Sequence, residues 1–483
     1  MGDEMSELLG ITVKKSENFS EWYTQVVLKS GLADYAPIGG CMIIKPLGYA
    51  IWEKMQKALD KKFKDTGVKN VYFPLFIPES FLKKEAEHFE GFVPEVAWIT
   101  QGGEKPLTEK LAVRPTSETI IYSVFSKWIR SYRDLPFRIN QWTNVVRWET
   151  KATKLFLRTK EFLWQEGHTV HATKEEADEE MMLRLNQYKE FVENYLAIPV
   201  LAGRKSEREK FAGALTTTTI EAIMPDGKAL QMGTSHNLGD HFSRVFDIKF
   251  LDKDGEERYV WQTSWGVSTR MIGALVMVHS DNKGLVLPPK IAPIHAVIVP
   301  IGFEKDKSVL KKANEIKEKL QRAGYSIELD DREEYTPGWK FNHWELKGVP
   351  VRIEIGPRDI EKKQLVLVRR DSYEKITIKE DELIDKIKSL LDEIQSNLYK
   401  KAKKFLEEHI TFASNYEEFK KILEEKGGFI KVNWCGKIEC EEKIKEETTA
   451  TVRVIPFDEK AEGEKCFHCG DRASEIAYFA KAY

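Results

Sequence analysis

Over residues 43–66 apolar side chains return every three or four positions, with Trp52, Met55, Leu59 and Phe63 in phase, and this period predicts an amphipathic helix. It leads into residues 71–77, a run rich in β-branched and aromatic residues that predicts a strand. Residues 173–196 predict a second long helix. The prolines of residues 287–293 then break the pattern and read as a linker. Beyond them strand-like and helical stretches alternate: 295–301, 307–323, 325–329, 339–347, 351–355 and 364–368. Such alternation predicts a small α/β domain with a parallel or mixed sheet. A charged helix over 380–408 follows, and a last module holds four of the five cysteines. The domains expected are 1–286, 287–400 and 401–483.

A chain of 483 residues exceeds one ordinary core, and 42% hydrophobic residues allow several. The net charge of −2 excludes a globally polybasic protein, so a nucleic-acid partner has to be met by local basic patches. Few cysteines, widely separated, are unlike a secreted disulfide scaffold and imply a reducing compartment. The N-terminus carries Asp3, Glu4 and Glu7 without an apolar signal core, and no apolar run is long enough for a bilayer. A cytoplasmic protein without membrane contact is expected.

Candidate chemistry centres on three arginines. Arg147 opens Arg147-Trp148-Glu149, Arg158 opens Arg158-Thr159-Lys160-Glu161-Phe162, and Arg270 closes Thr263 to Arg270. Arginine gives permanent charge in a planar fork that binds phosphate bidentately, and Phe162 with Arg270 offers two flat faces for a purine. The chain has no G-x-x-x-x-G-K-[ST] loop, and no G-x-G-x-x-G follows a strand-like run. The phosphates of a nucleoside triphosphate would therefore be held by side chains.

These residues carry a resemblance. Residues 145–168 resemble motif 2 of class II aminoacyl-tRNA synthetases, Val71-Tyr72-Phe73-Pro74-Leu75 looks like the end of motif 1, and residues 264–270 look like a divergent motif 3. Arg114-Pro115-Thr116-Ser117-Glu118 and Gln231-Met232-Gly233-Thr234-Ser235-His236 are similar to prolyl-tRNA synthetases of the archaeal and eukaryotic type. The resemblance implies an α+β catalytic core with an antiparallel sheet, an α/β anticodon-binding domain and a small C-terminal zinc domain. Its implied reaction is activation of L-proline with ATP and Mg2+, then transfer to the terminal adenosine of tRNA(Pro), in a homodimer. In that reaction Arg147 touches both the amino-acid carboxylate and the α-phosphate, Arg158 the triphosphate tail, and Arg270 the adenine side. Glu149 would read the adenine amino group, and Thr159, Gln231, Thr234 and Ser268 complete the nucleotide pocket. Thr116 and Glu118 offer acceptors to the secondary ammonium of proline. Trp164, Glu166, Phe211 and His236 would line the ring slot, with His236 a neutral hydrogen-bonding wall. Glu345 and Arg352 match the anticodon-reading region, and Tyr483 is expected to pack near the active site. No bacterial-type editing insertion fits between motifs 2 and 3. The competing reading is a catalytically silent relative that binds tRNA, against which the intact set Arg147, Glu149, Arg158 and Arg270 argues.

Cys435 and Cys440 form one close pair and Cys466 and Cys469 another, with 25 residues between the pairs. This matches the four-thiolate set of tetrahedral structural zinc, with His468 as a possible intruding ligand. Two alternatives stay open: a pair of disulfides, which the compartment disfavours, and a redox or iron site. Cys41 reads as a buried small residue rather than a nucleophile.

Overall fold

The computed structural model describes residues 10–86, 96–149, 151–461 and 464–483; the acidic positions Asp3, Glu4 and Glu7 lie outside them. A seven-stranded sheet forms the centre of the first part. Its strands are β1 (Lys69–Asn70), β2 (Phe137–Val146), β3 (Glu161–His171), β4 (Leu201–Arg204), β5 (Thr216–Ile223), β6 (Ala229–Gly239) and β7 (Trp261–Ser268), in the spatial order β1-β2-β3-β7-β6-β5-β4. Only the β1–β2 pair is parallel. Helices α1 (Phe19–Lys29), α2 (Pro46–Asp65), α4 (Lys174–Asn194) and α5 (Arg270–His279) share a core with one face of this sheet. The opposite face is covered at one end, where Ile139, Val170 and Leu238 share a core with Ile121 and Phe125, and is open over the rest. A further helix, α3 (Glu118–Trp128), starts at the rim of that open face.

Strand alternation decides which side chains face each way. On β7, Trp265 and Val267 enter the helix-side core while Ser264, Gly266 and Ser268 turn to the open face. Trp265 fits only because its cross-strand partner is Gly167: a Cβ there would lie 2.1 Å from the indole. Gly167→Ala should therefore destabilise the protein by about 3 kcal/mol through overpacking of a 2% exposed Trp265. Denaturant melts should show this as a lower midpoint at unchanged slope.

Two expected boundaries move. The helix predicted for residues 43–66 begins at Pro46, because residues 42–44 pair with 33–35 as a hairpin and proline, lacking an N–H, suits the first helical turn. The strand predicted for 71–77 breaks into Lys69–Asn70 and Phe76–Pro78, with Pro74 unable to donate between them. The proline-rich linker is also no loose tether, since Leu287, Ile291 and Ala292 are buried in the core of the first domain. Cys41 is half-buried rather than buried, and burial followed by Glu161 raises its thiol pKa, which keeps it protonated.

After the linker, β8 (Ala296–Pro300), α6 (Lys307–Arg322), β9 (Ile327–Leu329), α7 (Pro337–Leu346), β10 (Val351–Ile355), β11 (Gln364–Arg369) and β12 (Lys375–Lys379) form a mixed sheet ordered β9-β8-β10-β11-β12. Helix α8 (Leu383–Glu408) lays Leu383, Ile387, Leu390, Ile394 and Leu398 on it. Arg370 joins this domain to the first with a bidentate pair to Asp281, 2.7 Å to each oxygen.

The last module has strands β13 (Ile410–Phe412), β14 (Phe429–Trp434), β15 (Thr451–Val454) and β16 (Glu475–Ala480), with helices α9 (Tyr416–Glu425) and α10 (Ile438–Thr448). Its end docks on the catalytic sheet: Ala229 N–H donates to the Lys481 carbonyl at 2.8 Å and Tyr483 N–H to the Ala229 carbonyl at 3.1 Å. The Tyr483 hydroxyl donates to Asp226 at 2.7 Å. Tyr483 thus holds the start of β6 and packs on the core that includes Leu155 and Leu157, without lining the cavity described next.

Candidate active site

The open face of the sheet carries a cavity of about 260 Å3, which shares the wall residues Arg147, Phe162, Ser268 and Arg270 with a smaller one of about 50 Å3. The larger is lined by Thr116, Glu118, Trp164, Glu166, Phe211, Gln231, Thr234 and His236, and the smaller by Glu149, Arg158 and Thr159. Every residue singled out for nucleotide or amino acid lies on this joined surface. Local structure explains how. Phe162, Trp164 and Glu166 are alternate residues of β3, and a bulge where Ile220 pairs Gly233 but Glu221 pairs Gln231 turns Met232 into the core. The bulge brings Gln231 to the same face as Thr234 and His236.

Among the described residues none of the three arginines has a carboxylate within 4.0 Å. Arg147 donates through Nε to the Pro115 carbonyl at 3.1 Å, and Arg270 through Nε to Leu157 at 3.2 Å. The Arg147 guanidinium stands 5.5 Å from the Phe162 ring and 5.6 Å from that of Trp164. Burial, then the charges of Arg147 and Arg158, pushes the Arg270 pKa down to about 10, which leaves it charged at neutral pH. Such a cluster, lacking its own counter-ions, invites polyanion.

The other end is an acceptor cluster. The Thr116 hydroxyl donates to Glu118, which leaves the threonine lone pairs and the second glutamate oxygen for a donor. Glu166 is 2% exposed and accepts from Ser117, from Gln141 at 2.7 Å and from His168 at 3.1 Å. Burial raises its pKa, but the bonds from His168, Ser117 and Gln141 outweigh this and hold it below the usual carboxylate range. The His168 ring bridges Glu166 through Nε2 and the Tyr122 hydroxyl through Nδ1 at 3.0 Å. Arg114 is buried away from the cavity and binds Phe73 and Asn144 carbonyls at 2.8 Å, which fixes the turn carrying Thr116.

His236 contacts Thr217 at 2.9 Å through Nδ1 and the Phe211 ring at 4.9 Å. Burial, and secondarily His168, lowers its pKa to about 3, so it is neutral under ordinary conditions. The unfolded chain takes up this proton near pH 6.5 and the folded one only near 3, so stability is full above 6.5 and falls as pH drops through that window. His236→Gln should flatten the acid limb of a stability-versus-pH curve between pH 6 and 4, measured by urea melts; an unchanged slope contradicts burial of a neutral imidazole.

Sequence reading missed His168, Ser264, Gly266, Thr217 and Glu209 on the same surface. For His168, Ser264 and Gly266 the signal was present, because they continue the alternate positions of β3 and β7. Glu345 and Arg352 lie far from this cavity. They pair with each other at 2.9 Å, Arg352 also with Glu354 at 2.9 Å, and Lys283 reaches Glu345 at 3.1 Å.

The four cysteine sulfurs all lie within 4.8 Å of one another, with Cys440–Cys466 at 3.9 Å and Cys435–Cys469 at 3.7 Å. Tetrahedral zinc with bonds of about 2.3 Å requires sulfurs roughly 3.8 Å apart, so the set fits that ion. These separations are not those of disulfides.

A Proline--tRNA ligase of Natranaerobius thermophilus is 58% identical over 487 aligned residues, covering the whole of both chains. The chain belongs to the prolyl-tRNA synthetases. It is accordingly an ATP-dependent ligase of translation. A Proline--tRNA ligase 2 of Clostridioides difficile is 57% identical over 97% of each chain. Family models match in three places: the class II core domain of tRNA synthetases for G, H, P, S and T at 101–279, the anticodon binding domain at 295–390, and the prolyl-tRNA synthetase C-terminal model at 416–483. A prolyl-tRNA synthetase of Cryptosporidium parvum, solved in complex with halofuginone and AMPPNP, superposes on the synthetase with a TM-score of 0.95 at 47% identity, over 99% of this chain and 100% of that one.

Proposed function

We propose that L-proline is adenylated in the joined cavity, with its imino nitrogen at Thr116 and Glu118 and its carboxylate toward Arg147. One observation carries this: three arginines that have no carboxylate within 4.0 Å among the described residues line the same cavities as the polarised acceptor pair Thr116 and Glu118. A secondary ammonium has two N–H donors, which the free lone pairs of Thr116 and Glu118 accept. Trp164, Phe211 and neutral His236 wall the ring, and Glu166 is fully committed to its neighbours and shapes the slot. ATP lies folded across Arg147, Arg158 and Arg270, its adenine between Phe162 and Arg270, with Glu149, Thr159, Gln231, Thr234 and Ser268 around it. Arg147 then neutralises carboxylate and α-phosphate together, which lets one anion attack another without a protein nucleophile. Mg2+ would accompany the triphosphate and offset its charge.

Transfer to the terminal adenosine of tRNA(Pro) follows from the reactive acyl-adenylate. Residues 287–400 take the anticodon, with Glu345 and Arg352 facing guanine edges once Lys283 is displaced, while residues 1–286 hold catalysis and 401–483 the zinc. Structural zinc supplies cross-linking of Cys435, Cys440, Cys466 and Cys469 and no open coordination position. Exposed Tyr72, Phe76, Trp98 and Trp128 beside the motif 1 segment support a two-fold dimer. The match of residues 416–483 to the prolyl-tRNA synthetase C-terminal model supports a reading as the archaeal and eukaryotic type, and the bacterial relatives match over 97% or more of the chain. Among the described residues no helix is long and apolar enough to cross a membrane, in keeping with work in the cytoplasm.

The test is exchange of labelled pyrophosphate into ATP. Exchange should require L-proline and be lost in Glu118→Gln at low proline but recover in part at high proline. Equal exchange with and without proline overturns the reading.

A further inference from the structure

The cavity wall on the amino-acid side belongs partly to the segment 205–211, which joins β4 to β5. Glu209 and Phe211 of this segment face the cavity. Its other side is held in large part by the C-terminal module. The Ser206 hydroxyl accepts from Glu209 N–H at 3.2 Å and donates to Glu441 of α10 at 3.0 Å, with Ser206 1% and Glu441 0% exposed. Lys205 donates to Glu221 at 2.6 Å and to the Arg453 carbonyl at 3.1 Å. Arg453 of β15 completes the group with bonds of 2.9 and 3.0 Å to the two Glu221 oxygens. Arg204 and Ile455 exchange both backbone bonds at 2.9 Å, which extends the catalytic sheet to the neighbouring module. Looser pairs at 3.7 Å, Arg208 with Glu442 and Glu209 with Lys445, cover the outside.

We propose that the C-terminal module positions the amino-acid pocket, with Glu441 and Ser206 as positioning residues that set Glu209 and Phe211 against bound proline. The inference rests on the proline site assigned above. A hydrogen-bonded line runs from Glu441 through Ser206 to the backbone of Glu209, and a second from the Phe211 N–H to Thr217 at 3.0 Å and on to His236. Both ends of the wall are thereby fixed relative to the sheet. Cutting the first line frees Glu209 and leaves the nucleotide arginines untouched, since none of them contacts this segment. A contact that merely sealed two domains would act on stability, not on one substrate.

The experiment measures pyrophosphate exchange in full-length, zinc-loaded enzyme. Ser206→Ala should raise the KM for proline about 5- to 10-fold, with kcat and the KM for ATP within about twofold and zinc content unchanged. Glu441→Leu should match it, the double variant should be no worse than either single one, and Glu441→Gln, which keeps an acceptor for Ser206, should restore near-normal KM. Unaltered proline KM in Ser206→Ala, or equal rises for proline and ATP, overturns the proposal; Ser206→Ala decides even if Glu441→Leu does not fold. Glu118→Gln separates the two levels. If it raises the proline KM while Ser206→Ala does not, only the positioning role fails; if it too leaves the KM unchanged, the proline site itself is misassigned.

Discussion

Arg147→Ala is expected to lower kcat/KM for proline-dependent pyrophosphate exchange by about 10^3-fold, the scale seen when a preorganised charge partner of a transition state is removed. The physical ground is position. Arg147 is shared by both cavities, rests against Phe162 and Trp164, and among the described residues spends only its side-chain Nε, on the Pro115 carbonyl. Its terminal nitrogens remain for two anions that otherwise repel each other. Glu118, Glu149 and Glu166 partly offset the burial that lowers its pKa, so the cation persists in a site shielded from bulk water. Arg147→Lys keeps the charge but loses the fork and should recover only part of the rate, roughly tenfold over alanine. Circular dichroism and zinc content should match the parent enzyme in both variants. Exchange within tenfold of the parent in Arg147→Ala would remove this residue from the chemistry.

Much of this site was legible because its residues come from short segments with strong local chemistry. Arginine beside aromatic and acidic positions on β3 announces itself, and strand periodicity places Phe162, Trp164 and Glu166 together. The same period extends to His168, the last residue of the motif 2 segment, to which no role had been given. The Met232 bulge was not legible. Nothing in residues 229–239 reveals that one residue is extra until β5 is laid beside it, and without the bulge Gln231 and Thr234 would face opposite ways. Long-range partners were equally hidden: Ser206 and Glu441 are polar residues in polar surroundings, and only the fold makes their pairing buried. The break at Pro74 differs from these. A proline inside a presumed strand already argues against an unbroken ladder.

The C-terminal module depends on its metal in a way that Cys440→Ser should expose. Cys440 and Cys466 are 5% and 3% exposed and belong to the module's hydrophobic core, so the thiolates hold α10 and the 464–473 loop on the sheet from inside. Four-thiolate zinc contributes about 10 kcal/mol or more to folding, which rivals the whole stability of a small domain. Cys440→Ser is expected to drop zinc from one per chain to a small fraction and to make residues beyond 408 sensitive to protease, read by metal analysis and limited proteolysis. Cys41→Ser should change neither, because Cys41 lies in the hairpin region of the first domain and not in the cluster. One neighbour sharpens the test. His468 Nδ1 is 3.2 Å from the Cys440 sulfur and can replace it as the fourth ligand. Retention of zinc in Cys440→Ser that vanishes in Cys440→Ser/His468→Ala would assign that substitution to His468, whereas full retention in the double variant would mean that the metal is not held here. Because α10 also carries Glu441, loss of the metal should reach the amino-acid pocket, and proline binding should weaken before nucleotide binding does.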